Sequence, residues 1–117
     1  PVYYWSVTSQ MKALMDRTYL FKRKRQLRNK VAGAIVVLRG SGASFALSTL
    51  NNYFNIQNMI PARAIGSRTE EELTIERGSG VSAFVDKRGE VIENERAIMA
   101  AQALGKAMVE TLQTLNK

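Results

Sequence analysis

The chain has 117 residues, enough for one domain rather than two. It is 45% hydrophobic and 23% charged, a globular mixture, and no apolar run approaches the roughly 18–20 residues of a membrane helix. Cysteine and histidine are absent, which excludes disulfides, thiol catalysis, Ser-His-Asp triads and HExxH zinc sites within these residues. The net charge of +7 is concentrated: residues 22–30 hold six of the 17 basic side chains, and the rest of the chain balances 11 against 10. This pattern describes a near-neutral domain with one basic loop.

The chain opens with Pro1-Val2-Tyr3-Tyr4-Trp5, an extended aromatic segment. Ser6, Thr8 and Ser9 offer caps for a helix in which Val7, Met11, Leu14, Met15 and Thr18 recur at the spacing of one face. The basic loop follows. Residues 31–38 form an uninterrupted apolar run, which predicts a strand covered on both faces in a parallel sheet. The turn Arg39-Gly40-Ser41-Gly42-Ala43-Ser44 leads into a helix over 45–54, with Ala46, Leu47, Leu50, Tyr53 and Phe54 inward. Residues 59–66 predict a second strand. Pro61 lacks a ladder donor, so that strand belongs at an edge. Residues 86–89 read as a turn closing a small hairpin between 82–85 and 90–92. A final helix runs from about Glu95, capped by Asn94, with Ala97, Ala101, Leu104, Met108, Leu112 and Leu115 on one face. Alternating strands and helices give an α/β layer fold. Two long strands and three helices make a thin domain, as though residues 1–117 were the second half of a larger one. Removal of an initiator methionine would also leave Pro1 first.

Residues 1–18, PVYYWSVTSQMKALMDRT, resemble the PVYxxSVxxQxKxxxDR stretch of the flavodoxin-like NAD(P)H-dependent FMN reductase and iron–sulfur flavoprotein family. Lys30-Val31-Ala32-Gly33-Ala34, the glycine-containing turn at 39–44, Asn58-Met59-Ile60 and Ala103-Leu104-Gly105-Lys106 match in the same order. The resemblance implies a three-layer fold around a parallel sheet of strand order 2-1-3-4-5, with FMN at the C-terminal strand ends. Flavodoxin itself is a worked case of that rule. Pro1 then ends strand three, 31–38 is strand four and 59–65 is strand five. Strands one and two and the phosphate loop would lie outside this sequence, as would the cluster cysteines of the iron–sulfur members.

The residues also suit a flavin on physical grounds. Isoalloxazine is a flat, mostly apolar tricycle with a polar edge, and reduction builds negative charge at that edge. The first loop, Pro1, Val2, Tyr3, Tyr4, Trp5, Ser6 and Val7, offers aromatic walls followed by a helix N-terminus. In the second, Gly40, Ser41 and Gly42 let backbone approach a ring closely. Both loops should face one crevice. The cofactor supplies the hydride chemistry, so no acid–base side chain is required.

The rival readings are blander. The aromatics could be strand-end packing, and the glycine turn an ordinary strand-to-helix connection. Asp16-Arg17 reads as a helix-end charge pair, and Glu70-Glu71-Glu72 as the start of a short turn. The basic run reads as a solvated loop. It lacks the interleaved aromatics that stack bases, which argues against nucleic acid as a partner, and nothing points to a membrane. The expected function is an FMN-dependent, NAD(P)H-using flavin or quinone reductase that is cytoplasmic and acts on a small electron acceptor. One alternative is an electron-transfer flavoprotein of the iron–sulfur type. The other is a non-enzymatic interaction module, either a remnant subunit or an anion-binding domain using residues 22–30. A half-sheet exposes an edge and apolar helix faces, so a homo-oligomer (dimer or tetramer) is expected, with weak or no FMN binding by these residues alone.

Overall fold

The computed structural model describes residues 1–62, 75–76, 80–87 and 89–117. Helix α1 (Ser9–Arg17) begins where Thr8 Oγ1 accepts from Met11 N at 3.2 Å. It is followed by the short helix α2 (Tyr19–Arg23), then strands β1 (Val31–Ala32) and β2 (Ile35–Leu38). Helix α3 (Ala43–Ile56) and strands β3 (Ile60–Pro61), β4 (Ile75–Glu76) and β5 (Gly80–Phe84) come next. Helix α4 (Glu95–Leu115) ends the chain, with Asn94 Oδ1 accepting from Ala97 N at 3.0 Å. Of the three candidates Ser6, Thr8 and Ser9, Thr8 is the cap, and the predicted Asn94 cap is observed.

The expected continuous strand is two strands. β1 pairs in parallel with β3, and β2 pairs in parallel with β5. The partners nevertheless occupy one edge. Lys30 O and Ala32 O accept from Ile60 N and Ala62 N at 2.9 and 2.8 Å. Ala34 O and Leu38 O accept from Val81 N and Val85 N, each at 2.9 Å. Alternate residues of an extended stretch point the same way, so 60–62 and 80–85 form two halves of one strand position. The odd residues point to the opposite edge, where Val2 N donates to Val37 O at 3.0 Å. The first loop is thereby fixed beside the sheet. Among the described residues β3 pairs with β1 alone; Ile60 and Ala62 donate to that neighbour, so the donor that Pro61 lacks is not one the pairing uses.

Other expectations need correction. The hairpin is absent: residues 80–84 pair with β2 and β4, and Glu90–Ile92 is a 3-10 turn. Coverage on both faces is incomplete. Ala34, Val36 and Leu38 are buried beneath α3 with Ala43, Ala46, Leu47 and Leu50. On the other face α4 covers the early part of the stretch, where Ala62, Val81, Ala100 and Leu104 pack with Val31 and Met108. Ile35 remains 51% exposed. Gly33 sits where an added Cβ would lie 3.0 Å from Met108 Sδ, so its lack of a side chain sets the close approach of α4. On α4 the predicted Ala97, Leu104 and Met108 do pack inward, joined by Ala100, while Leu112 and Leu115 are exposed. Val7, before α1, and Met15 on it pack inward, while Met11 and Leu14 are exposed. Asp16 pairs with Lys12 at 2.6 Å, one helical turn away, rather than with Arg17. Lys22 and Arg23 belong to α2, so the basic loop starts only at Lys24. The remainder of the second predicted strand, 63–66, and the Glu70-Glu71-Glu72 turn lie outside the described residues.

The architecture is thus mixed α/β, with parallel strand pairs between helices α1 and α3 on one side and α4 on the other. No helix among the described residues is long and apolar enough to cross a membrane.

Candidate functional site

β2 ends at Leu38, and Arg39-Gly40-Ser41-Gly42 carries the chain over the sheet to α3. Gly42 has φ +100°, a conformation that side-chain-bearing residues rarely adopt, and it occupies the N-cap position of α3. As a glycine, the N-cap residue itself supplies no side-chain cap. The N-terminal dipole of α3 opens toward the ends of the strands.

The first loop folds as a two-residue hairpin tip. Tyr3 and Ser6 exchange both backbone hydrogen bonds, at 3.3 and 3.0 Å. Between them Tyr4 and Trp5 both have positive φ, 48° and 60°. Two successive left-handed residues are what a tight hairpin turn demands, though glycine or asparagine usually supplies them. Bulky residues in this region carry strain, on the order of 1–3 kcal/mol each. The tip turns Tyr4 fully into solvent, and Tyr3 is also exposed.

Trp5 joins the two loops. Its indole Nε1 donates to Ser41 Oγ at 3.1 Å. The ring stacks on Phe45 of α3 with centroids 5.2 Å apart and planes inclined by 18°. It also lies over Gly42, where an added Cβ would fall 2.5 Å from Trp5 Cδ1 and 2.8 Å from Trp5 Cα. Of the predicted residues, Trp5, Ser41 and Gly42 are therefore in direct contact. Pro1 and Val2 run along the edge of β2, and Val2 and Val7 pack on the core under α3. Gly40 is open, with nothing within 4 Å of an added Cβ. Tyr3, Tyr4 and Ser6 contribute the tip itself.

A third loop, after β5, joins the same end of the sheet. Arg39 Nε donates to Asp86 Oδ1 at 3.1 Å, an exposed ion pair that contributes little stability. The amides of Asp86 and Lys87 both donate to Glu90 Oε2, at 3.0 and 2.9 Å. Those donors are thus occupied within the loop. Phe45 and Asp86 were not read as site residues in the sequence. Phe45 follows the glycine turn at a helical first-turn position, a signal that was legible. Asp86 became a neighbour only through the parallel pairing of β5 with β2.

The surface fits part of a flavin ring. Trp5, Phe45 and Tyr4 offer exposed aromatic faces, the Gly40 backbone is open to a planar group, and the α3 N-terminus favours negative charge. Among the described residues no three or more His, Cys, Asp or Glu side chains gather.

Residues 1–70 match the family of NADPH-dependent FMN reductases. One iron–sulfur flavoprotein of Methanocaldococcus jannaschii is 31% identical over 119 residues, covering all of this chain and 58% of that protein. A second iron–sulfur flavoprotein of the same organism is 45% identical over 65 residues, covering 52% of this chain and 33% of that protein. The chain thus spans little more than half the length of the first relative. The matched stretch contains the hairpin tip, the glycine turn and the helix they flank, and on that ground the chain belongs to the NADPH-dependent FMN reductase family.

Proposed function

We propose that the loops 1–7 and 39–44 form one wall of an FMN site in an NAD(P)H-dependent flavin or quinone reductase. The observation that carries the proposal is Trp5, which ties the two loops together through Ser41 and Phe45. When bound, FMN would accept hydride from NAD(P)H and pass electrons to a small acceptor. The chain's own part is positional. The exposed aromatic faces hold a flat ring, the open Gly40 backbone lets it approach, and the α3 N-terminus stabilises negative charge at its polar edge without reorganising. The exposed apolar side chains of α1 and α2, among them Leu14, Leu20 and Phe21, support self-association as a homo-oligomer.

The relatives' names favour a second reading, an electron-transfer flavoprotein that also holds an iron–sulfur cluster. These 117 residues contain no cysteine and provide no thiolate for one. The absorbance spectrum of the purified full-length protein separates the two. Flavin bands near ~370 and ~450 nm that bleach on anaerobic addition of NADPH or NADH are expected for the reductase. A broad additional shoulder, with bleaching only by a protein or dithionite reductant, would support the electron-transfer reading. Absence of any flavin after reconstitution with FMN would contradict both.

A further inference from the structure

The strongest charge asymmetry lies at the opposite end of the sheet from the glycine turn. Residues 1–62 contain nine basic side chains and a single acid, Asp16. Asp16 is already paired with Lys12. No carboxylate occurs between Asp16 and Glu70 in the sequence. Among the described residues, none of Lys22, Arg23, Lys24, Arg25, Arg28 and Lys30 forms an ion pair. A cluster of unneutralised cations repels itself, and an anion relieves that repulsion.

An open recess lies within this cluster. Arg25, Arg28 and Asn58 line this recess of about 210 Å³ with a predominantly polar wall. The loop around it is fixed by its own backbone. Gln26 N donates to Phe21 O at 3.0 Å, Arg28 N to Arg25 O at 3.2 Å, and Lys30 N to Leu27 O at 3.1 Å. Asn29 N donates to Asn58 O at 2.9 Å, joining the basic loop to the end of α3. Gln57, next to Asn58 in the chain, is buried and hydrogen-bonded to Thr18. Thr18 Oγ1 lies 2.8 Å from Tyr53 Oη and accepts from Gln57 Nε2 at 3.2 Å. The backbone that carries Arg25 and Arg28 is thus held by hydrogen bonds, while their exposed side chains would be ordered by the ligand.

We infer that Arg25, Arg28 and Asn58 form a binding site for a phosphoryl group, carried by a free phosphate compound or by a lipid headgroup. Two guanidinium forks together offer more donors than one carboxylate's two oxygens accept, whereas a phosphoryl group presents three oxygens. The Asn58 side chain adds a neutral donor. The site is separate from the proposed flavin wall. Lys30 and Arg39 flank the extended stretch 31–38, and a rise of about 3.3 Å per residue sets them roughly 25–30 Å apart. Hence the inference does not depend on the flavin reading.

The test is titration of the full-length protein with pyrophosphate at constant ionic strength, followed by calorimetry, with acetate as the carboxylate control. Saturable one-to-one binding of pyrophosphate is expected, with acetate at least ~10-fold weaker. Arg25→Gln/Arg28→Gln should weaken pyrophosphate at least ~10-fold, and Lys22→Gln/Lys24→Gln by no more than about 2- to 3-fold. Circular dichroism and melting without phosphate establish that each variant is folded, and an Asn58→Ala variant provides a second reading should the arginine pair fail to fold. Co-sedimentation with phosphatidylglycerol vesicles, competed by pyrophosphate and lost in the arginine variant, would place the phosphoryl group on a lipid. No vesicle binding would place it on a free compound. Absence of saturable binding, or equal weakening by the lysine and arginine variants, would overturn the site. Tighter retention of an oligonucleotide that both variants weaken alike would instead indicate an extended polyanion surface, and would also overturn it.

Discussion

Replacing Gly42 by valine should collapse the junction between the two loops. The native φ of +100° is strained for any side chain, at a cost of about 1–3 kcal/mol, and more for a β-branched one. The new Cβ would also meet Trp5 Cα at 2.8 Å, a backbone atom that no rotamer change moves aside. The variant is expected to lose the Trp5–Ser41 hydrogen bond and the Trp5–Phe45 stack together. The chain has one tryptophan, so in these residues indole fluorescence reports on this junction alone. A shift of the Trp5 emission to that of a solvated indole is expected, with at least ~10-fold weaker FMN binding in the full-length protein. Gly40→Ala is the control: with nothing within 4 Å of its added Cβ, it should leave the fold and the Trp5 emission unchanged. Native emission from Gly42→Val would show that the loops do not depend on each other.

The second large effect is on stability. Leu47 is fully buried between α3 and the sheet, and an added Cβ at Gly80 would fall 2.7 Å from its Cδ2. Leu47→Ala removes methyl groups from a site walled by strand backbone, which cannot collapse to fill the gap. A loss of about 2–5 kcal/mol is expected, a large share of the roughly 5–15 kcal/mol that holds a domain folded. Urea denaturation of the full-length protein measures it from the shift in midpoint at unchanged slope. A loss below about 1 kcal/mol would mean that this cluster is not the core.

Helices were legible because their signals are local. Thr8 and Asn94 sit at helix starts and cap them, and the inward set Ala46, Leu47 and Leu50 follows from the 3.6-residue period. The glycine turn was legible because a left-handed residue after a strand favours glycine. Strand partnership was not. Residues 80–84 are a short run beside a plausible turn, and their partner, 35–38, lies more than 40 residues earlier. Periodicity identifies an element but not its neighbour, so a local hairpin was the natural reading and a split strand was invisible. The tip at Tyr4 and Trp5 was illegible for a different reason. Aromatic residues seldom take positive φ, so nothing in their identity announced a tight turn. Their position beside the glycine turn was readable only through the resemblance of the opening motif.

The central claim, that the hairpin tip and glycine turn form a flavin wall, is tested most directly by FMN affinity in a Tyr4→Ala/Trp5→Ala variant. Stacking of a heteroaromatic ring on an aromatic side chain contributes on the order of 1–3 kcal/mol per contact. Titration of the apo full-length protein with FMN, read by quenching of flavin fluorescence, should show at least ~10-fold weaker binding in a variant that remains folded by circular dichroism. Unchanged FMN affinity in that folded variant would contradict the account.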